Sequence, residues 1–209
     1  PRCFVADIVS AAHHIGTAAR RSAKKLVYVS SSEVYGPSDE AAQSEDMPCI
    51  VPVQPTVRLE YGLGKLAAEV VLLNMAAKGL NVSIIRPFNV VGPRQDPSFG
   101  FVLPRFLGQA LRGEPLTVFG DGSDRRAFTY VMDIAEGILA ASDLPTGRYN
   151  VGNPDNECSI LELALLVREV TERSVKIVHV DPKAVHGPTF AGAWNKIPDI
   201  TSMLLHSDW

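Results

Sequence analysis

The sequence has few of the residues that build metal centres and disulfide frameworks. It contains only three cysteines and five histidines among 209 residues. Cys3, Cys49 and Cys158 are widely spaced and form no CxxC pair, and the histidines form neither HxxxH nor HExxH. We therefore expect no metal site and no disulfide, and we expect free thiols in a reducing cytoplasm.

Long apolar runs and an excess of charge of one sign are also missing. No hydrophobic stretch reaches the length of a membrane span, and the first residues lack the basic-then-apolar pattern of a signal peptide. The 20 basic and 23 acidic residues give a formal net charge of −3, which favours neither nucleic acid nor a membrane surface as a partner. The 46% of hydrophobic residues is typical of a globular protein with one core, or one core plus a small lobe.

Short apolar runs alternate along the chain with longer segments of helical pattern. This alternation predicts an α/β fold with a parallel sheet covered on both faces. Gly79 is expected to end the first helix, Asp133 to cap another, and Ser159 with Glu162 to form a capping box. A stripe of Leu66, Val70 and Leu73 is expected to face the core or a dimer interface. The predicted strands cover residues 26–30, 81–85, 116–119, 127–131, 148–151 and 175–180; the predicted helices cover 58–78, 101–111, 133–142 and 159–173, with a last turn near 203–205 and a long loop over 36–56.

Tyr61 and Lys65 stand four residues apart, which places both side chains on one face of a helix. There a lysine ammonium can stabilise a tyrosine phenolate. Tyrosine titrates near pH ~10, so a phenolate that works as a base at neutral pH needs about 4 kcal/mol of stabilisation, most of which one close cation in a half-buried site supplies. This spacing is common by chance, but here a serine-rich segment precedes it and the segment 85–94 follows it.

Four segments in combination carry a resemblance to a known family. They are SSSEVYG (residues 30–36), the Tyr61–Lys65 pair, RPFNVVGPR (86–94) and GDGSDRRAFTYVMDI (120–134). The chain resembles the extended short-chain dehydrogenase/reductase family, and within it the NAD-dependent sugar-nucleotide epimerases, dehydratases and decarboxylases. The resemblance implies a Rossmann-like doubly wound sheet with a smaller α/β substrate lobe. We expect a partial dinucleotide-binding domain over residues 1–86 and a substrate lobe over 87–209, from which residues 127–151 return to the first domain.

The resemblance also implies roles for individual residues. Tyr61 would be the base that removes the proton of a sugar hydroxyl, Ser31 would hydrogen-bond that hydroxyl, and Lys65 would tune Tyr61 and contact the nicotinamide ribose. The resemblance implies a catalytic role for Glu33 as well. The cofactor-binding residues would be Tyr61, Lys65, Ser30, Arg86 and Pro87. The substrate-binding residues would be Ser32, Arg58, Asn89, Phe119 and Arg126, with Asn89 and Arg126 on the diphosphate and Phe119 beside the base.

Two further positions bear on the reaction type, which stays open. Glu33 and Arg58 match the subgroup of UDP-glucuronate decarboxylases, in which an arginine and a glutamate handle the substrate carboxylate. That subgroup has an arginine where this chain carries Lys196, and the two cations are not interchangeable at a bidentate site. We therefore expect a 4-epimerase-type enzyme that oxidises the C4 hydroxyl of a nucleotide-linked hexose or uronate, with UDP-glucuronate decarboxylation as the alternative.

A glycine-rich GxxGxxG turn does not occur in the sequence. In the family this turn receives the cofactor pyrophosphate, and about eighty to one hundred residues of the family pattern would precede Pro1. The absence motivates a rival of another class, a non-catalytic protein that binds sugar nucleotides. The resemblance otherwise implies NAD as cofactor, a nucleotide-diphosphate sugar such as a UDP-sugar as substrate, and a cytoplasmic homodimer.

Overall fold

The structure, a computed structural model, describes residues 4–38, 40–52, 57–97, 100–186 and 195–209, without the side chains of residues 57 and 58. Helices and strands alternate along the chain, as the sequence predicts. The helices are α1 (Phe4–Arg21), α2 (Val57–Ala76), α3 (Val102–Arg112), α4 (Val131–Ala140), α5 (Ile160–Thr171), α6 (Pro182–His186) and α7 (Thr201–His206). The strands are β1 (Leu26–Val29), β2 (Val82–Pro87), β3 (Val90–Val91), β4 (Leu116–Phe119), β5 (Arg125–Ala127), β6 (Thr129–Tyr130), β7 (Gly147–Val151), β8 (Glu157–Ser159) and β9 (Ile177–Val180). Short 3₁₀ helices cover Ser32–Tyr35 and Pro154–Asn156.

The largest sheet is parallel, with strand order β1-β2-β7. Residues of β2 alternate between its two faces, as the pleat of a strand requires. Val82 and Ile84 join the core beneath α1 and α2, whereas Ile85 joins the core formed with α4 and α7. The sheet is therefore covered on both faces, as predicted. Its third strand, β7, lies within the segment that was expected to return to the first domain, while the division at residue 86 stays a prediction.

A second core lies between α3, α5 and the parallel pair β4–β9. Phe106, Leu116 and Val118 are fully buried there, together with Ala164 of α5. The predicted strand over 127–131 is wrong in detail, because the chain changes partner within it. β5 pairs with β8 in antiparallel fashion, β6 pairs with β3 in parallel, and Phe128 between them packs into this second core.

Helix ends agree only partly with the sequence. The predicted capping box is confirmed, since Ser159 Oγ accepts from Glu162 N at 3.1 Å and Glu162 Oε2 accepts from Ser159 N at 2.7 Å. Asp133 is not a cap, because α4 begins two residues earlier and Tyr130 is its N-cap residue. Gly79 adopts a φ of +94° just after α2, in agreement with its predicted role. The loop prediction is confirmed over residues 40–52, which hold no helix or strand apart from a bridge between Gln43 and Pro198.

The buried face of α2 agrees with the predicted stripe at Leu66 and Leu73, which pack against core clusters, but not at Val70. Ala68, Glu69 and Leu72 are buried, while Val70 is 52% exposed, so the core placement is wrong for Val70. The reason is that α1, for which no element was predicted, packs against the small residues of α2. A dimer interface at Val70 stays a prediction.

Gly36, which follows the first 3₁₀ helix, is expected to be intolerant of any side chain. Its φ of +67° and ψ of −154° suit only glycine, and a Cβ atom there would lie 1.9 Å from the carbonyl oxygen of Ile50. That neighbour is fixed, because Ile50 N donates to Tyr35 O at 3.0 Å. We expect Gly36→Ala to lower the free energy of unfolding by about 2–5 kcal/mol, measured by urea denaturation.

Gly113 offers a matched control for this substitution. Its φ is +74°, and no atom lies within 4 Å of the Cβ that alanine would add. Gly113→Ala therefore pays only for the left-handed backbone, about 1–2 kcal/mol. Equal losses in the two variants would contradict the steric account of Gly36.

Candidate active site

The residues predicted to transfer the proton gather where β1 and β2 end. Ser30 and Ser31 follow β1, and Pro87 closes β2 just before Asn89. The first turns of α2 carry Tyr61 beside them. In open parallel sheets this edge, outside the carboxyl ends of the strands, is where ligands bind.

Tyr61 and Ser31 form the centre of the site. The Tyr61 hydroxyl group lies beside the Ser31 side chain, and 37% of the Tyr61 residue surface is exposed. Burial raises the pKa of Tyr61 above its ordinary value, interaction with the Ser31 side chain lowers it, and the Glu33 carboxylate raises it. The phenol is therefore a poor base in the protein alone, and it needs a further positive charge to ionise at neutral pH.

Lys65 lies on the same face of α2 as Tyr61, as the spacing predicts. Its Nζ donates to Val29 O at 2.8 Å and lies 5.0 Å from the ring centroid of Tyr28 and 5.8 Å from that of Tyr61. Burial lowers the pKa of Lys65, and Glu69 raises it. The role of Lys65 in lowering the pKa of Tyr61 stays a prediction.

Ser32 and Glu33 lie in the 3₁₀ helix that follows Ser31. Ser31 is its N-cap, since Ser31 Oγ accepts from Glu33 N at 3.2 Å, and Ser32 is buried in its first turn. A Cβ atom at Gly62 would lie 2.7 Å from Glu33 O. Glycine at this position therefore allows α2 to approach the 3₁₀ helix closely enough for Tyr61 to reach Ser31.

Glu33 forms an ion pair with Lys196, and the Glu33 Oε1–Lys196 Nζ distance is 2.5 Å. The Lys196 side chain is 4% exposed and that of Glu33 21%. The backbone of Lys196 is fixed as well, because its N donates to Arg125 O at 3.1 Å and its O accepts from Ala127 N at 3.1 Å. Residues 195–199, here called the C-terminal segment, thus bring a positive charge against Glu33 of the 3₁₀ helix.

The residues predicted to bind the diphosphate and the base are Asn89, which follows β2, Arg126 on β5 and Phe119 on β4. The Asn89 amide nitrogen donates to Ala127 O at 2.9 Å and to Lys196 O at 3.1 Å, so both of its N–H groups hold the protein backbone here. Arg126 is half-buried on β5, and its backbone forms an isolated parallel β-bridge with the backbone of Lys196. Phe119 ends β4, and the Arg105 guanidinium lies 4.3 Å from the centroid of its ring. The ligand roles of these residues stay predictions.

Two of the predicted cofactor ligands are instead part of the core. The Arg86 and Glu69 side chains are 0% and 1% exposed, with Arg86 Nη2 2.5 Å from Glu69 Oε2. Ser30 Oγ donates to Glu69 Oε1 at 2.5 Å. A cofactor contact through the Arg86 side chain is therefore wrong for this structure, because the side chain has no exposed surface. Pro87 lies half-buried at the end of β2, and the side chain of Arg58 lies outside the described residues.

Glu69 is the site residue that sequence reasoning missed. A signal for it existed, since Glu69 follows Lys65 by one helical turn and therefore shares the face that carries Tyr61. The pairing of Lys196 with Glu33 carried no such signal, because the two residues are 163 positions apart.

Features of other site classes are few in the part of the chain that the structure describes. No three histidine, cysteine or acidic side chains gather there in a way that would hold a metal ion. Cys49 and Cys158 are free thiols. None of the described helices combines the length and apolar character that crossing a membrane demands.

Comparison with known proteins places this geometry in a family. The model of the NAD dependent epimerase/dehydratase family matches residues 2–152. The UDP-N-acetyl-alpha-D-glucosaminuronate decarboxylase of Bacillus cytotoxicus is 39% identical over 189 residues, which cover 89% of this chain and 58% of that protein. The UDP-glucuronic acid decarboxylase 1 of Arabidopsis thaliana is 34% identical over 194 residues, which cover 91% of this chain and 42% of that protein.

Solved structures agree with these relatives. UDP-glucuronic acid 4-epimerase from Bacillus cereus, in complex with NAD, superimposes with a TM-score of 0.77 at 27% identity, covering 95% of this chain and 60% of that chain. UDP-N-acetylglucosamine 4-epimerase from Methanobrevibacter ruminantium gives a TM-score of 0.82 at 26% identity, with 95% and 61% covered. These matches confirm the predicted Rossmann-like α/β fold, and the chain spans about three-fifths or less of the length of these relatives. The chain belongs to the NAD dependent epimerase/dehydratase family.

Proposed function

We propose that this chain carries the proton-transfer part of an NAD-dependent enzyme that oxidises the C4 hydroxyl of a UDP-linked uronate or hexose. The observation that carries this proposal is the grouping of Ser31, Tyr61 and Lys65 at the carboxyl edge of the sheet, where Lys65 Nζ lies 5.8 Å from the ring centroid of Tyr61 and donates to Val29 O at the end of β1. A base, an orienting hydroxyl and a cation on rigid elements are what removal of a hydroxyl proton requires.

Each of these three residues has a distinct task. Ser31 orients the sugar hydroxyl toward Tyr61, because its own position is fixed as the N-cap of the 3₁₀ helix. Tyr61 Oη accepts the hydroxyl proton. Lys65 binds at the nicotinamide ribose and adds positive charge on the side of Tyr61 that faces β1.

The residues present fit one end of NAD. Tyr61 is partly exposed at the strand edge, and Lys65 carries ammonium donors there, which suits the ribose next to the nicotinamide. NAD supplies the acceptor for the hydride that leaves the carbon atom. The oxidised nicotinamide ring is also positively charged, and this charge beside Tyr61 would lower the pKa that burial raises. Solved relatives contain NAD, which supports this assignment.

Two outcomes can follow oxidation at C4. A C4 ketone stands β to the C6 carboxylate of a uronate, so loss of carbon dioxide is chemically favoured. The Glu33–Lys196 pair supports a uronate substrate for either outcome, because Lys196 offsets the repulsion between Glu33 and a substrate carboxylate. The curated relatives at 34–39% identity are decarboxylases, which supports decarboxylation. 4-Epimerisation, the outcome expected from the sequence, is supported by the solved neighbours that are 4-epimerases.

A direct assay separates these outcomes. The NAD-loaded protein is incubated with UDP-glucuronate labelled at C6, and carbon dioxide release is measured beside the appearance of the C4 epimer. Decarboxylation predicts stoichiometric loss of label, whereas 4-epimerisation predicts its retention in a new sugar. Binding of the sugar nucleotide with neither product would contradict the enzymatic proposal and favour the non-catalytic rival.

Arg58 stays our proposed ligand for the uronate carboxylate. We expect Arg58→Ala to lower kcat/KM for UDP-glucuronate by about tenfold to a hundredfold, since a charge-assisted hydrogen bond is worth about 1.5–3 kcal/mol. UDP-glucose has no carboxylate and serves as the control substrate in the same variant. An equal loss with both substrates would contradict a carboxylate-specific role.

A further inference from the structure

A bidentate ion pair lies buried directly behind the site. Arg86 Nε donates to Glu69 Oε1 at 3.0 Å, and Arg86 Nη2 donates to Glu69 Oε2 at 2.5 Å. Both side chains are almost completely excluded from solvent. Breaking such a pair is costly, but replacing the whole pair by apolar residues often is not, so overall stability alone does not explain it.

The pair joins every element that carries the proton-transfer residues. Ser30 Oγ donates to Glu69 Oε1 at 2.5 Å, which ties the end of β1 to α2. The Arg86 guanidinium lies 4.7 Å from the ring centroid of Tyr35, the last residue of the 3₁₀ helix. Tyr35 Oη in turn donates to Asn150 Oδ1 on β7 at 2.7 Å.

Glu69 is connected to both Lys65 and Ser31. It follows Lys65 by one turn of α2, and its bonding partner Ser30 directly precedes Ser31. We propose that Glu69 is a positioning residue: its carboxylate, held by Arg86, fixes the segment after β1 against α2 and places a negative charge one turn behind Lys65. What Lys65 and Ser31 then do rests on the proposed function, but this arrangement is measurable without turnover.

The charged and titratable groups around Lys65 define the expected electrostatic effect. Tyr28 of β1 faces its ammonium, Tyr61 and Glu69 flank it on α2, and Glu33 acts on Tyr61 from the 3₁₀ helix. Glu69 is the group among these that raises the pKa of Lys65 against the effect of burial. Removing its charge leaves burial unopposed, so Lys65 should lose its proton at a lower pH.

The test substitutes Glu69→Gln and follows Lys65 itself. Competitive labelling with acetic anhydride over a range of pH, read by mass spectrometry of the Lys65 peptide, gives the titration midpoint of this amine. We expect the midpoint to fall in Glu69→Gln and the thermal unfolding midpoint to fall with it. In the double variant Glu69→Gln/Arg86→Met the thermal midpoint should recover, because no charge is left buried alone, while the Lys65 midpoint should stay low.

Tyr35→Phe is the matched control within the same buried network. It removes the hydrogen bond to Asn150 but keeps the ring beneath Arg86, so it should lower the thermal midpoint without moving the Lys65 midpoint. An unchanged Lys65 midpoint in Glu69→Gln would overturn the proposal. Recovery of both midpoints in the double variant, or an equal Lys65 shift in Tyr35→Phe, would overturn it as well.

Discussion

Tyr61→Phe is expected to lower the turnover of UDP-glucuronate by about a hundredfold to ten-thousandfold, the usual contribution of a positioned general base. The phenylalanine ring keeps the packing of α2 and removes only the hydroxyl group that lies beside Ser31. Affinity for the sugar nucleotide should change little, because the base acts on a proton that moves only in the reaction. Steady-state kinetics and calorimetric titration of the same preparation measure the two quantities.

Tyr130→Phe is the control for this prediction. Tyr130 is also exposed and lies on β6, where it pairs with Val91 of β3. It should retain ordinary rates. Turnover close to wild type in Tyr61→Phe would remove the basis of the proposed function, whatever the outcome of the other variants.

Lys196→Met is expected to weaken the handling of a carboxylated substrate more than any other single change in the C-terminal segment. It removes the Lys196 ammonium from the Glu33 carboxylate in a site that is largely excluded from water, and the Glu33 charge then repels the uronate carboxylate. We expect KM for UDP-glucuronate to rise by about tenfold or more, while KM for UDP-glucose changes little. Breaking this partly buried pair should also lower the free energy of unfolding by about 1–3 kcal/mol.

Two companion variants sharpen this test. Lys196→Arg keeps the positive charge and should keep most of the affinity for UDP-glucuronate. The double variant Lys196→Met/Glu33→Gln removes both charges and should recover KM for UDP-glucuronate, because the repulsion is gone. If KM stays high in the double variant, Lys196 binds the substrate directly and does not act by neutralising Glu33.

Much of the fold could be read from local sequence because its signals are local. The apolar run at 116–119 and the capping box at Ser159 are patterns of a few residues, and both are confirmed. The change of partner within 127–131 could not be read in this way. It depends on two strands that lie far away in sequence. β8 pairs with the residues up to Ala127, and β3 pairs with Thr129 and Tyr130.

The site was predictable to the extent that its residues share an element. Tyr61 and Lys65 lie on one helix and are placed together, while their chemical roles stay predictions. The prediction that Arg86 binds the cofactor was wrong because it relied on the motif at 86–94. It did not consider how side chains alternate between the two faces of β2. Val82, Ile84 and Arg86 alternate onto the face that packs against α2, which gives Arg86 a buried partner rather than a ligand.

The C-terminal segment gives the site a particular order of assembly. Closing the loop between Glu33 and Lys196 restricts more than 160 residues, so this contact forms only after the sheet and the second core exist to bring its ends together. Gln43 N donates to Ile197 O at 2.8 Å, and Asp199 N donates to Gln43 O at 2.9 Å, and these bonds hold the segment in place. Local opening of this short stretch removes the cation from Glu33 while the hydrophobic cores stay intact. We therefore expect the Glu33–Lys196 contact to be the part of the candidate site that the folding chain forms last and loses first on partial unfolding.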